Sequence, residues 1–219
     1  MRVIACLAAA AFFTLQDDLP VLLTEDFEKG ADRWEPMDPK GWKVAELDGG
    51  NKIFAHFVKQ GEYKPPHRSP VNIALLKDLV VGDFILEVRC QSTVKDYGHR
   101  DMCLIFGYQD NAHFYYSHLG KKTDDHANQI FIVNGAPRTK ISTKTTPGTD
   151  WTDGWHAVKI VRKAADGLIE VYWDDMKTPV QTASDKTFGW GRIGIGSFDD
   201  TGNWDDIKIR GAKVDPPKK

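Results

Sequence analysis

Beyond Leu15, no window of about ten residues carries a sustained helical period of apolar side chains. Short runs rich in Val, Ile, Phe and Tyr recur instead, broken by Gly, Asp, Asn and Pro. That pattern removes helical bundles and alternating α/β folds and leaves stacked antiparallel sheets. The clearest runs are residues 52–58, 71–76, 84–91, 102–108, 113–119, 129–133, 156–162, 168–173, 192–197 and 204–209. Alternation predicts that Phe84, Leu86, Val88 and Cys90 face one way and Ile85, Glu87 and Arg89 the other. Turn chemistry stands at Gln109-Asp110-Asn111, Asn134-Gly135, Asp166-Gly167 and Thr201-Gly202-Asn203. The Pro-rich segment 64–70 cannot be a central strand, because proline has no ladder donor, and is expected as a loop near a sheet edge or cleft rim. There His67 and Arg68 read as solvated loop residues.

The chain opens on Arg2, an apolar run from Val3 to Leu15, and then Asp17 and Asp18. A bilayer takes about 20 apolar residues, so the run is too short to span one. It has the layout of a signal peptide over residues 1–16, which implies a secreted or periplasmic protein with no membrane partner. A single domain over 17–214 and a disordered tail over 215–219 follow. With 29 basic and 31 acidic residues, the net charge of −2 argues against nucleic acid as a partner. Cys90 and Cys103 allow two outcomes: a disulfide closing a loop of about 12 residues, contributing about 3 kcal/mol, or two buried thiols.

Function is concentrated in one stretch. Four of the seven histidines, His99, His113, His118 and His126, lie there with Arg100, Asp101, Tyr115, Tyr116, Asp124, Asp125 and Gln129. In residues 113–119 the alternation puts His113, Tyr115 and Ser117 on one face and Phe114, Tyr116 and His118 on the other. Neither face is plainly apolar, so the strand is expected to line a cleft. Planar rings beside short-range donors and acceptors suit a pyranose. Acid–base chemistry on a sugar needs groups that titrate near neutrality. The expected catalytic set is His118 as base, Tyr116 as acid or orienter, and His126. His99, Arg100, Tyr115, Gln129 and Arg138 are expected to hold substrate. Trp42, Trp151, Trp173 and Trp190 are further stacking candidates. No closely spaced carboxylate pair of the retaining-glycosidase kind is visible. His113 and His118 fall on opposite faces, against a zinc site. No phosphate loop or serine elbow appears, and no organic cofactor is expected.

The segment 155–175, WHAVKIVRKAADGLIEVYWDD, resembles the WH-x-V-x-I-x-R…G-x-I-x-V-Y-x-D hairpin of concanavalin A-like jelly rolls, including laminin-G-like domains. Residues 191–209, GRIGIGSFDDTGNWDDIKI, resemble their closing strands, and residues 25–34, EDFEKGADRW, their opening strand. With GDFILEVRC at 82–90 between them, the order is similar to that of the secreted 3-keto-disaccharide hydrolase group. The resemblance implies an all-β, two-sheet antiparallel jelly-roll sandwich whose first and last strands pair. It also implies a structural Ca²⁺ at that rim, held by Asp26, Glu28, Asp205 and Asp206, with Asp199 and Asp200 nearby. The activity implied is hydrolysis, or elimination and hydration, of a glycan or modified disaccharide in a concave cleft. The alternative is a non-catalytic carbohydrate-binding or adhesion module. A carbohydrate is the partner in either case.

Overall fold

The computed structural model describes residues 19–216, so the expected signal peptide lies outside the described residues. All strand pairings are antiparallel, and two sheets result. The nine-stranded sheet runs in the order β11 (Ser142–Thr145), β14 (Asp175–Ser184), β13 (Leu168–Trp173), β12 (His156–Lys163), β6 (Val81–Ser92), β16 (Gly202–Lys213), β4 (Lys52–His56) and β3 (Trp42–Glu46). β1 (Val21–Glu25) joins it by pairing with β16, so the first and last strands lie side by side. The seven-stranded sheet runs β10 (Thr139–Lys140), β9 (Ile130–Asn134), β8 (His113–Gly120), β7 (Asp101–Asp110), β15 (Arg192–Ser197), β5 (Asn72–Leu76) and β2 (Trp34–Pro36). No α-helix occurs among the described residues, only the short 3₁₀ turn Pro39–Gly41.

The two inner faces close on one core. β6 contributes Phe84, Leu86, Val88 and Cys90 to it, while Ile85 packs on the outer face with Val161 and Tyr172, as the alternation predicts. Trp204, Phe27, Phe54, Trp34 and Trp42 form an aromatic group between the sheets. Fully burying one such side chain contributes about 1.5–3 kcal/mol, which makes this core the main stabilising term. Trp151 and Trp173 also belong to it, packed against each other and against His156, and Trp42 is buried too. Three of the four tryptophans expected to stack on sugar are therefore core residues.

The seven-stranded sheet is covered on its outer face as well. Ile73, Leu75, Ile105, Phe114, Tyr116, Phe131 and Val133 form a second apolar cluster, closed over by Met37, Tyr63 and Phe198. Tyr63 immediately precedes the Pro-rich segment, so the loop that carries both lies against the sheet. In β15 Gly194 and Gly196 alternate with the inward Ile193 and Ile195. A Cβ on Gly196 would stand 1.8 Å from the Asn72 carbonyl oxygen, so only glycine lets β15 and β5 approach this closely.

The two cysteines are free thiols, both buried. Cys90 lies in the inter-sheet core and Cys103 beneath the outer cluster, on opposite faces of different sheets. Of the two outcomes open to the sequence, the structure holds the thiols.

Candidate functional site

The site is built where β7, β8 and β9 meet the turn after β15. Cys103 and His118 are direct cross-strand partners, and Asp101 precedes Cys103 by one strand period, so all three share the outer face. Burial drives the Asp101 carboxyl and the Cys103 thiol well above their ordinary pKa. Burial first, then the nearby Arg138 charge, lowers His118 to about 3. Burial thus disfavours the charged form of all three groups, as a dry site does. The Asp101 carboxyl accepts the Phe198 backbone N–H at 2.9 Å and lies 3.7 Å from Cys103 Sγ.

One His118 nitrogen is engaged by the backbone. Its Nδ1 accepts the Asn128 backbone N–H at 3.3 Å, so the proton sits on Nε2, which faces Asp101 Oδ2 at 3.7 Å. Among the described residues, Asp101, Cys103 and His118 are the one trio whose possible metal-ligand atoms lie within 4.8 Å of one another. A metal on Nε2 would require the proton on Nδ1, where the Asn128 donor already points, which disfavours an ion there. As placed, His118 holds structure at the floor of the site and does not reach outward as a base.

Arg138 sits above this floor. Its guanidinium carbon is 4.5 Å from the centre of the Phe131 ring and 4.3 Å from that of Phe198, and Nη1 donates to the Tyr116 hydroxyl at 2.7 Å. Burial raises Tyr116 well above its ordinary pKa, with Arg138 opposing the shift. Among the described residues no other hydrogen bond from the Arg138 side chain is made, and the residue is half-buried. Guanidinium faces stacked on rings leave the N–H edge free for a ligand. Arg68, on the loop that lies against the sheet, also faces Phe198, at 5.8 Å, and accepts the Arg138 backbone N–H at 3.1 Å.

The rim carries His99 and His126, both exposed, about Asp124. His99 Nε2 lies 3.2 Å from Asp124 Oδ2, and the same carboxylate accepts the His126 backbone N–H at 2.6 Å. Gln129 is buried and donates to the Asp124 carbonyl at 2.8 Å. Thus His118, Tyr116, His99, His126, Gln129 and Arg138 gather in one region. Two expected members do not. Tyr115 points into the inter-sheet core, its hydroxyl donating to Asp185 and accepting the Phe188 N–H at 2.9 Å. Arg100 is 1% exposed, donates to the Ser92 carbonyl at 2.9 Å and to Asp153 at 3.0 Å, and lies against Trp151, so it ties loops together. Both faces of β8 are packed, not one lining an open cleft. Its polar atoms are paired inside, as with Ser117 Oγ donating to Gln181 at 2.8 Å.

A hollow of about 610 Å³ adjoins the site, lined by Lys59, Thr93, Tyr97, Asp199 and Asp200 among others. The Tyr97 hydroxyl donates to Asp200 at 2.8 Å, and the other Asp200 oxygen accepts the Asp101 backbone N–H at 3.0 Å. Phe131, Phe198, Arg68 and Cys103 are members that sequence reasoning did not select. Cys103 was reachable through its strand period from Asp101; the others depend on long-range packing.

The four carboxylates expected to hold Ca²⁺ lie near the β1–β16 pair, but protein donors already engage each. Asp205 accepts from Asn51 Nδ2 at 3.0 Å, Glu28 from the Lys52 N–H at 2.8 Å, Asp206 from Arg89 at 3.3 Å and Asp26 from the Glu28 N–H at 3.2 Å. As placed they do not form a cage for a hard cation, which takes six to eight oxygens.

No protein-family model matches the chain, and no curated protein matches it. Solved structures do. The carbohydrate-binding module CBM66 from Bacillus subtilis superimposes with a TM-score of 0.58 at 17% identity, covering 82% of this chain and 96% of that one. Domain 4 of AbnA, a GH43 extracellular arabinanase from Geobacillus stearothermophilus solved with arabinotriose, gives 0.57 at 10% identity over 90% and 95%. A protein of Parabacteroides distasonis provisionally named a glycosyl hydrolase gives 0.51 at 13% identity over 83% and 100%. At these identities the likeness is one of architecture, and it agrees with the sheet order and core described above. The chain has the concanavalin A-like jelly-roll fold.

Proposed function

We propose that this is a secreted carbohydrate-active protein that takes a glycan at the Arg138 end of the seven-stranded sheet. The observation that supports it is the Arg138 guanidinium held between Phe131 and Phe198 with its outer N–H edge unengaged. A directional donor fork beside the half-buried Phe198 ring suits a pyranose, which has one apolar surface and one lined with hydroxyls. The exposed His99, His126 and Asp124 extend the polar side of that surface. The structural neighbours are themselves described as carbohydrate-binding or glycan-active, which favours the same ligand class here.

Recognition is the reading that the geometry supports best. Glycoside processing by hydrolysis or elimination is a second reading, favoured by one observation: Asp101, Cys103, Tyr116 and His118, whose pKa values burial displaces strongly, pack together beside Arg138. In that reading the Tyr63 and Phe198 cover moves aside, and His126, the accessible imidazole, joins Tyr116 as the acid–base pair. A glycan array followed by product analysis on the bound sugars tests both. Binding with no product on long incubation establishes the first reading, and product lost in His126→Ala establishes the second. An array with no bound sugar rejects both.

A further inference from the structure

Neither Arg68 nor Arg138 has a carboxylate partner, and both face the Phe198 ring. Some cations of the same end are paired: Lys140 with Asp125 at 2.6 Å, His99 with Asp124 at 3.2 Å and Lys59 with Asp200 at 3.7 Å. Among the described residues, no acidic oxygen lies within 4.0 Å of either guanidinium, Asp199 beside Phe198 included. The chain has more acids than bases, so the supply of counter-ions is not short. Two arginines without a carboxylate nevertheless face one ring, Phe198, and their backbones are joined by the Arg138 N–H to Arg68 carbonyl bond at 3.1 Å. Two cationic forks beside one ring make a positive edge that an anion would complete.

We propose that the glycan taken at this end carries an anionic group, a carboxylate or a sulfate ester, and that the guanidiniums of Arg68 and Arg138 bind it at the edge of Phe198. The proposal rests on the glycan reading above and adds the charge class of the sugar. Arginine suits the task better than lysine: its planar fork meets two oxygens of a carboxylate or sulfate at once, while its face stays stacked on the ring.

The test uses isothermal titration of the full-length protein with oligogalacturonate, its uncharged methyl ester and a sulfated galactan. The expected result is at least about tenfold tighter binding of one anionic sugar than of the ester, the size of one charge-assisted contact. Preference for oligogalacturonate assigns the group as a carboxylate, and preference for the sulfated galactan as a sulfate. The gap should shrink in Arg68→Gln, an exposed position that leaves the fold intact, and as NaCl is raised. Arg138→Lys, which keeps the charge but loses the fork, should shrink it too. Equal affinity for charged and neutral sugars, or a gap untouched by both variants, overturns the proposal while leaving glycan recognition standing. Failure of every sugar, charged or neutral, on the array as well as in titration overturns the glycan reading and this proposal with it.

Discussion

The Trp204 indole N–H donates to His56 Nδ1 at 3.4 Å, in the dry interior between the sheets. With Nδ1 as acceptor, Nε2 carries the proton and donates to the Asp200 carbonyl at 2.8 Å, with Ser197 Oγ beside it at 3.0 Å. The neutral ring is thus satisfied at both nitrogens, and burial lowers its pKa to about 4.

This pair sets a pH dependence. The folded pKa lies below the unfolded value of 6.5, so between those limits the unfolded chain binds a proton that the native state refuses. The His56 contribution is therefore complete above pH 6.5 and declines as pH falls towards 4. From pH 7 to pH 5 the loss from this one residue is about 2 kcal/mol. Urea unfolding of wild type and His56→Gln at the two pH values isolates it: wild type should lose about that much more than the variant. Equal losses would show that His56 titrates normally in the fold.

Removing Arg138 should be felt in stability as well as in binding. Arg138→Ala leaves the buried Tyr116 hydroxyl without its donor and opens the space between Phe131 and Phe198. An unsatisfied buried polar group costs about 1–3 kcal/mol. Tyr116→Phe should cost less, because the half-exposed guanidinium can turn to water. Denaturant midpoints of the two variants and the double variant give the coupling between the side chains; a Tyr116→Phe loss as large as that of Arg138→Ala would contradict the assigned roles.

The thiols should be silent in the native state. Burial raises Cys90, and raises Cys103 well above its ordinary value, so neither offers thiolate at neutral pH. A thiol reagent should label both only after denaturant is added, and reductant should leave the melting temperature unchanged. Rapid native labelling of Cys103 would mean that the Tyr63 and Phe198 cover opens readily.

With Asn51, Lys52 and Arg89 engaging the rim carboxylates, addition of Ca²⁺ or of chelator should shift the melting temperature by less than about 1 °C, far below the shift produced by a bound ligand at a hundred times its Kd. A rise of several degrees with Ca²⁺ would show that Asp26, Glu28, Asp205 and Asp206 rearrange into a cage.

The sandwich was legible where side chains alternate. The inward set of β6 and the turns at Gly135 and Gly167, both with positive φ, follow from local chemistry. β14 was not legible. It is polar, and Pro179 sits at a break in its register with β13, so neither periodicity nor propensity marks it as a strand. β1, β2 and β3 are short and owe their form to the partners they reach across the chain. At the site, the dense histidines located the region, but not its depth. Polar atoms on β8 signalled a cleft because sequence shows donors and acceptors without showing that Gln181 or Asn128 will meet them. Phe198 was invisible for the same reason: its importance lies in Arg68 and Arg138, which are remote in sequence.

The Asp200 carbonyl that receives the His56 proton belongs to the same short turn as Phe198, two residues away. A sugar settling on that ring would therefore press on a relay ending at the deepest indole in the molecule. Trp204 becomes a built-in optical reporter: its emission should change on glycan addition in wild type and stay constant when Arg138 is replaced by alanine.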